Sequence, residues 1–178
     1  MPYAAVAVND ADPPLPYPEG AFDLVFGHSV FTHFDEPRQN AWLSELQRVI
    51  SPGGLPVLST HGELALGDDA WRIRDRLEDE GIVFIDDVFG PEYPLPDWYQ
   101  RTYHAPWYVF EHWTWWFEIR AYVPGGALGV QDHILLQRRA GDATTRRPLA
   151  ARPRRLTGTR IGPAPPRGLP HPHFCSAS

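Results

Sequence analysis

The chain has 178 residues, 43% of them hydrophobic, and one cysteine, which suits one globular domain and excludes both a disulfide framework and a cysteine-built zinc site. No apolar run reaches the roughly 18–20 residues of a membrane span, and the opening MPYAAVAVNDADPP has neither the basic region nor the apolar run of a secretory signal, so the expected location is the cytoplasm. All 16 basic residues are arginine: residues 138–178 hold nine against Asp142, while residues 1–137 hold seven against 21 acids, an acidic body that argues against general nucleic-acid binding.

In chain order, Tyr3–Val8 is a short apolar run followed by Asn9-Asp10, which predicts a buried strand ending in polar residues. The segment from Ala11 to Gly20 holds four prolines and reads as a loop. Phe22–Phe26 predicts the next strand, and it stops abruptly at Gly27, His28 and Ser29. Asp35-Glu36-Pro37 is a helix start, with a capping acid and a proline in the first turn. Trp42, Leu43, Leu46, Val49 and Ile50 then form one apolar face, and Ser51-Pro52-Gly53-Gly54 ends the helix. Leu55–Thr60 is a further strand, ending at Ser59-Thr60-His61. Strand, helix and strand with short links are the pattern of a parallel βαβ unit. Pro56 is out of place in a central strand, because it removes a ladder hydrogen bond.

Asp68–Glu80 predicts a charged helix stopped by Gly81, and Ile82–Ile85 a short strand. Pro106–Phe117 predicts a helix, and Glu118–Val123 and His133–Gln137 two last strands joined by the turn PGGALG. Residues 1–140 are thus expected to form the domain. From Gly141 the chain is rich in Arg, Pro, Ala and Gly without hydrophobic period, which predicts a disordered tail over 141–178. Its composition, without a lysine, suits a translated frameshift or read-through of GC-rich DNA.

Three stretches, Val8–Phe34, Ala41–Gly62 and His104–Arg139, together resemble the class I S-adenosylmethionine-dependent methyltransferases. The middle one, LQRVISPGG, is the most specific. The resemblance implies an α/β Rossmann-like sheet, mostly parallel with an antiparallel last strand, and S-adenosylmethionine as cofactor. It further implies that Asp10, with Ala11 beside it, contacts the adenine, and that Gly27, His28 and Ser29 line the rim near the transferable methyl. The family's Gly-rich loop and first two strands have no counterpart, so the chain resembles the carboxyl-terminal part of a methyltransferase, and an inner strand becomes an exposed edge.

Methyl transfer requires in-line positioning, and an oxygen or nitrogen acceptor also needs a base. His33 and His61 follow strands whose carboxyl ends should lie side by side, and they are the candidate bases, with a capping or loop role as the plainer alternative. No histidine pair has metal-binding helical spacing, so no metal site is expected. The aromatic run from Trp107 to Phe117 reads as a helix covering the sheet or as a wall for a flat acceptor, with Tyr99 and Tyr103 in the same lid. The implied activity is methyl transfer to a small-molecule or glycan acceptor. One alternative is a non-catalytic remnant whose sheet edge pairs with a partner chain. Another is a nucleotide-dependent oxidoreductase, for which no G-x-G-x-x-G is present.

Overall fold

The computed structural model describes residues 4–67, 70–86, 95–96 and 98–141. Nine elements follow in order: β1 (Phe22–Gly27), α1 (Glu36–Val49), β2 (Ile50–His61), α2 (Ala70–Glu80), β3 (Ile82–Ile85), β4 (Arg101–His104), α3 (Pro106–His112), β5 (Glu118–Ala127) and β6 (Gln131–Gln137), with short 3₁₀ turns at Glu63–Ala65 and Trp113–Trp115. The predicted disordered tail lies, from residue 142 onward, outside the described residues.

The six strands form one mixed sheet in the order β3-β4-β2-β6-β5, with β1 also paired to β2. Strands β1 and β4 run parallel to β2, while β6 is antiparallel to β2, β5 to β6 and β3 to β4. The expected βαβ unit is therefore β1–α1–β2, and the last strand is antiparallel as expected. Strand β4 succeeds β1: β1 pairs with β2 up to Leu58, and Tyr103 of β4 takes over opposite His61.

Helix α1 begins where its capping signal lies. The Asp35 carboxylate accepts from the Arg38 backbone N–H at 3.0 Å, with proline in the first turn. Its apolar side joins α3, Trp113 and Phe117 over Ile50, Leu58, Ile134 and Leu136, which is the main core. A second core joins Ile73 and Leu77 of α2 to Val83 and Tyr103. Gly81 ends α2 with φ +78°, and a Cβ there would meet the Trp107 ring at 2.5 Å, so both backbone and space require glycine.

Several expectations are corrected. No strand forms over residues 4–8, and Val6 and Val8 are 92% and 96% exposed. An extended run without a ladder neighbour leaves its backbone to water, and no neighbour exists for it among the described residues. Strand β2 starts at Ile50 rather than Leu55, because Ile50 turns extended at the end of α1 and pairs with Phe22, and Gly53 and Gly54, inside the register shift, exchange backbone hydrogen bonds with Arg138. Pro56 is accommodated in this strand opposite Val25. Helix α2 is described from Ala70, and residues 68–69 of the expected helix lie outside the described residues. The expected helix 106–117 is α3 followed by a 3₁₀ turn. The last hairpin turns at Leu128–Val130, one step beyond the PGGALG expectation, since β5 continues through Pro124-Gly125-Gly126 with a bulge. Arg138 and Arg139, counted above with the basic end, belong to the body. Buried Arg138 donates to the Ile50 carbonyl at 2.5 Å and to Glu19 at 3.0 Å, and Arg139 to the Phe117 carbonyl at 3.0 Å.

Among the described residues, β1 has one neighbour, β2. Val25 packs on the main core, while the alternate residues Leu24 and Phe26 are 61% and 63% exposed. The exposed edge expected from the sequence is thus β1.

Candidate functional site

The carboxyl ends of β1 and β2 lie side by side, where open α/β sheets bind their ligands. The turn after β1 is built by short polar side chains. Ser29 adopts φ +57°, an uncommon conformation for serine that its surroundings hold in place. Its backbone N–H donates to Ser59 Oγ at 2.7 Å, Ser59 Oγ–H donates to Gln131 Oε1 at 2.7 Å, and Gln131 Nε2–H returns to Ser29 Oγ at 3.0 Å. This closed circuit ties β1, β2 and β6 together. Gly27 packs against Leu58, where a Cβ would come within 2.9 Å of a methyl. His28 is exposed, stacks on Phe26 at 6.1 Å, and lies 5.9 Å from the His133 ring.

His33 and His61 come together, with ring centroids 6.4 Å apart. Each is held by a backbone carbonyl in or just before β4. His33 Nδ1–H donates to the Gln100 carbonyl at 2.7 Å and His61 Nδ1–H to the Thr102 carbonyl at 3.2 Å. A carbonyl only accepts, so each neutral ring carries its proton on Nδ1 and its lone pair on Nε2. Burial lowers the pKa of both, with the Arg101 charge adding to it, and His61 falls to about 4 through burial and the nearby His33. Both rings are therefore neutral at pH 7. Tyr99 stacks on His33 at 4.0 Å.

Asp10 and Ala11 stand elsewhere, in an exposed loop before β1. The Ala11 carbonyl accepts from Trp42 Nε1–H at 3.1 Å, which anchors this loop to α1. Among the described residues the Asp10 carboxylate has no hydrogen-bond or ion-pair partner, so it can accept from an amino group. His104 separates from the other histidines. It is fully buried and donates from Nε2 to Gln39 Oε1 at 3.0 Å, and Gln39 in turn donates to the Phe31 and Phe34 carbonyls. Asp132 is also structural, accepting from the Tyr122 hydroxyl and the Gly125 N–H. Sequence reasoning missed Gln131, Gln100 and Thr102. Gln100 and Thr102 act through carbonyls, which leave no residue-type signal, and Gln131 sits in a hairpin whose register was not legible.

A mixed sheet with a polar strand-end turn and a parallel βαβ unit defines an open α/β domain of Rossmann-like type. Residues 3–58 match the model of the family described as methyltransferase domain. The fold is thus class I methyltransferase-like, and S-adenosylmethionine is the cofactor of that class. The chain is similar to the PH0226 protein from Pyrococcus horikoshii OT3, at 17% identity and TM-score 0.46 over 71% of this chain and 56% of that one. It is also similar to a SAM-dependent methyltransferase from Methanosarcina mazei, at 19% identity and TM-score 0.45 over 71% and 63% of the two chains. The chain thus spans somewhat more than half the length of these solved structures.

Asp10 and His28 are exposed, and among the described residues the Asp10 carboxylate has no partner. The described structure contains no Gly-rich cradle at the amino side of β1.

Proposed function

We propose that this chain binds S-adenosylmethionine through Asp10, Ala11 and the Gly27–Ser29 turn, and that His33 and His61 serve methyl transfer to a small-molecule or glycan acceptor. When bound, the cofactor supplies an electrophilic methyl group. This chain's part is to orient the acceptor and receive its proton. The observation that carries the reading is the pairing of His33, in the segment after β1, with His61, at the end of β2, their Nδ1 protons committed to the Gln100 and Thr102 carbonyls. That leaves Nε2 as the basic nitrogen of each ring at neutral pH. Tyr99, stacked on His33, offers a flat wall for the acceptor.

Calorimetric titration of the full chain with S-adenosylhomocysteine tests the cofactor half. Micromolar binding that weakens in Asp10→Asn supports it. A folded sample that gives no heat overturns it. Hydrogen bonds to a charged group contribute about 1.5–3 kcal/mol each, against about 8 kcal/mol in a micromolar complex, so loss of a few contacts abolishes measurable binding.

The open edge of β1, with Leu24 and Phe26 exposed, favours a second reading. In it the chain is a non-catalytic partner-binding protein whose edge strand pairs with another polypeptide. Sedimentation of a mixture with such a polypeptide would yield a complex and restore cofactor binding.

A further inference from the structure

Helix α1 has a second, polar face that the hydrophobic pattern hides. Arg38, Trp42, Glu45 and Arg48 recur at helical spacing, and all four bond the loop before β1. Besides the Trp42 bond to Ala11, Glu45 Oε1 accepts from the Leu15 N–H at 2.7 Å, and Arg48 donates to the Tyr17 carbonyl at 2.8 Å and the Leu15 carbonyl at 3.2 Å. Arg38 differs from the others in touching two segments. Its Nε and Nη2 form a fork on the Asp12 carboxylate at 2.7 and 3.2 Å. The same guanidinium lies 4.4 Å from the Trp98 ring centre and 5.9 Å from that of Phe34. Trp98 precedes Tyr99, which stacks on His33. An open groove of about 510 Å³ runs beside the guanidinium, bordered by Asp12, Pro13, Asp35, Pro37 and Trp98.

We infer that Arg38 is a positioning residue that clamps the Asp10–Ala11 loop and the Trp98–Tyr99 wall to the start of α1, so that the two sides of the candidate site are held in one arrangement. That the Asp10–Ala11 side takes cofactor and the Trp98–Tyr99 side acceptor rests on the proposed function; the clamp itself does not. The chemistry requires arginine. A planar fork bonds a carboxylate with two N–H groups while its face lies on an indole, which a lysine ammonium does not reproduce.

Hydrogen–deuterium exchange on the full chain tests the clamp without any ligand. Arg38→Ala and Arg38→Lys are expected to speed exchange both in residues 9–17 and in residues 98–104, with β5 and β6 unchanged. Asp12→Asn, at an exposed side chain that leaves the core intact, is expected to loosen the same two segments. Should Arg38→Ala fail to fold, Asp12→Asn carries the test. Faster exchange in one segment only, or in neither, overturns the inference. In parallel, S-adenosylhomocysteine binding is expected to weaken about tenfold in Arg38→Lys, the order of one lost charge-assisted contact. A wild-type chain that does not bind sinks the cofactor reading, while the exchange result still decides the clamp.

Discussion

His104 illustrates what burial does to one titratable group. Its ring has no exposed surface, and its pKa falls to about 3 because water is excluded, with His61 adding to the effect. The folded form therefore stays neutral while the unfolded chain takes up a proton below its ordinary pKa of about 6.5. Stability is complete above that value and falls as pH drops toward 3, by up to about 1.4 kcal/mol per pH unit for this group. Urea unfolding between pH 7.5 and 5 is expected to show this slope, and His104→Gln to flatten it. Equal slopes in the two proteins would refute the assignment. Gly62 gives a second test at this scale. A Cβ there would come within 1.9 Å of the Asp132 carboxylate, which holds the Tyr122 hydroxyl and the Gly125 N–H. Gly62→Ala is expected to lower stability by about 2 kcal/mol, since the carboxylate must leave its donors. An unchanged urea midpoint would count against it.

At the scale of elements, β1 and α1 were legible for clear reasons. Phe22–Phe26 is a strongly apolar run, and α1 carries a cap, a first-turn proline and an apolar period. Strand β4 was not legible. Its four residues, Arg101–His104, mix polar and aromatic types, and their pairing with β3 and β2 is long-range. The run Tyr3–Val8 fails in the opposite sense: the local pattern favours a strand, but a strand requires a partner. The same dependence makes β1 a liability, since its outer edge carries no strand among the described residues. Phe26→Lys, at a position already 63% exposed, is expected to leave the unfolding midpoint nearly unchanged and to reduce self-association in sedimentation. Unaltered association would mean that the edge is not the contact surface.

At the scale of the whole molecule, acids dominate residues 1–137 and arginines residues 138–178. Arg138 and Arg139 are pinned to carbonyls of Ile50 and Phe117, so the described fold includes both. If residues 141–178 are the unstructured tail that their composition implies, a chain ending at 140 will keep the thermal midpoint and circular dichroism of the full chain. A marked loss of stability would show that the tail packs.

The sequence by itself determined the βαβ unit, the polar ends of its two strands and the methyltransferase-like character of residues 3–58. These follow from short-range signals: caps, periods of 2 and 3.6, and turn residues. It also indicated that His33 and His61 would meet, because parallel strands of one unit end on the same side. The tertiary structure alone decided that the Gln100 and Thr102 carbonyls fix both imidazole tautomers, that His104 leaves the group for the core, and that Arg38 touches two segments 86 residues apart, at Asp12 and Trp98. Backbone carbonyls are the same in every residue, and long-range pairing leaves no period in the chain, so these features arise only when the sheet is assembled.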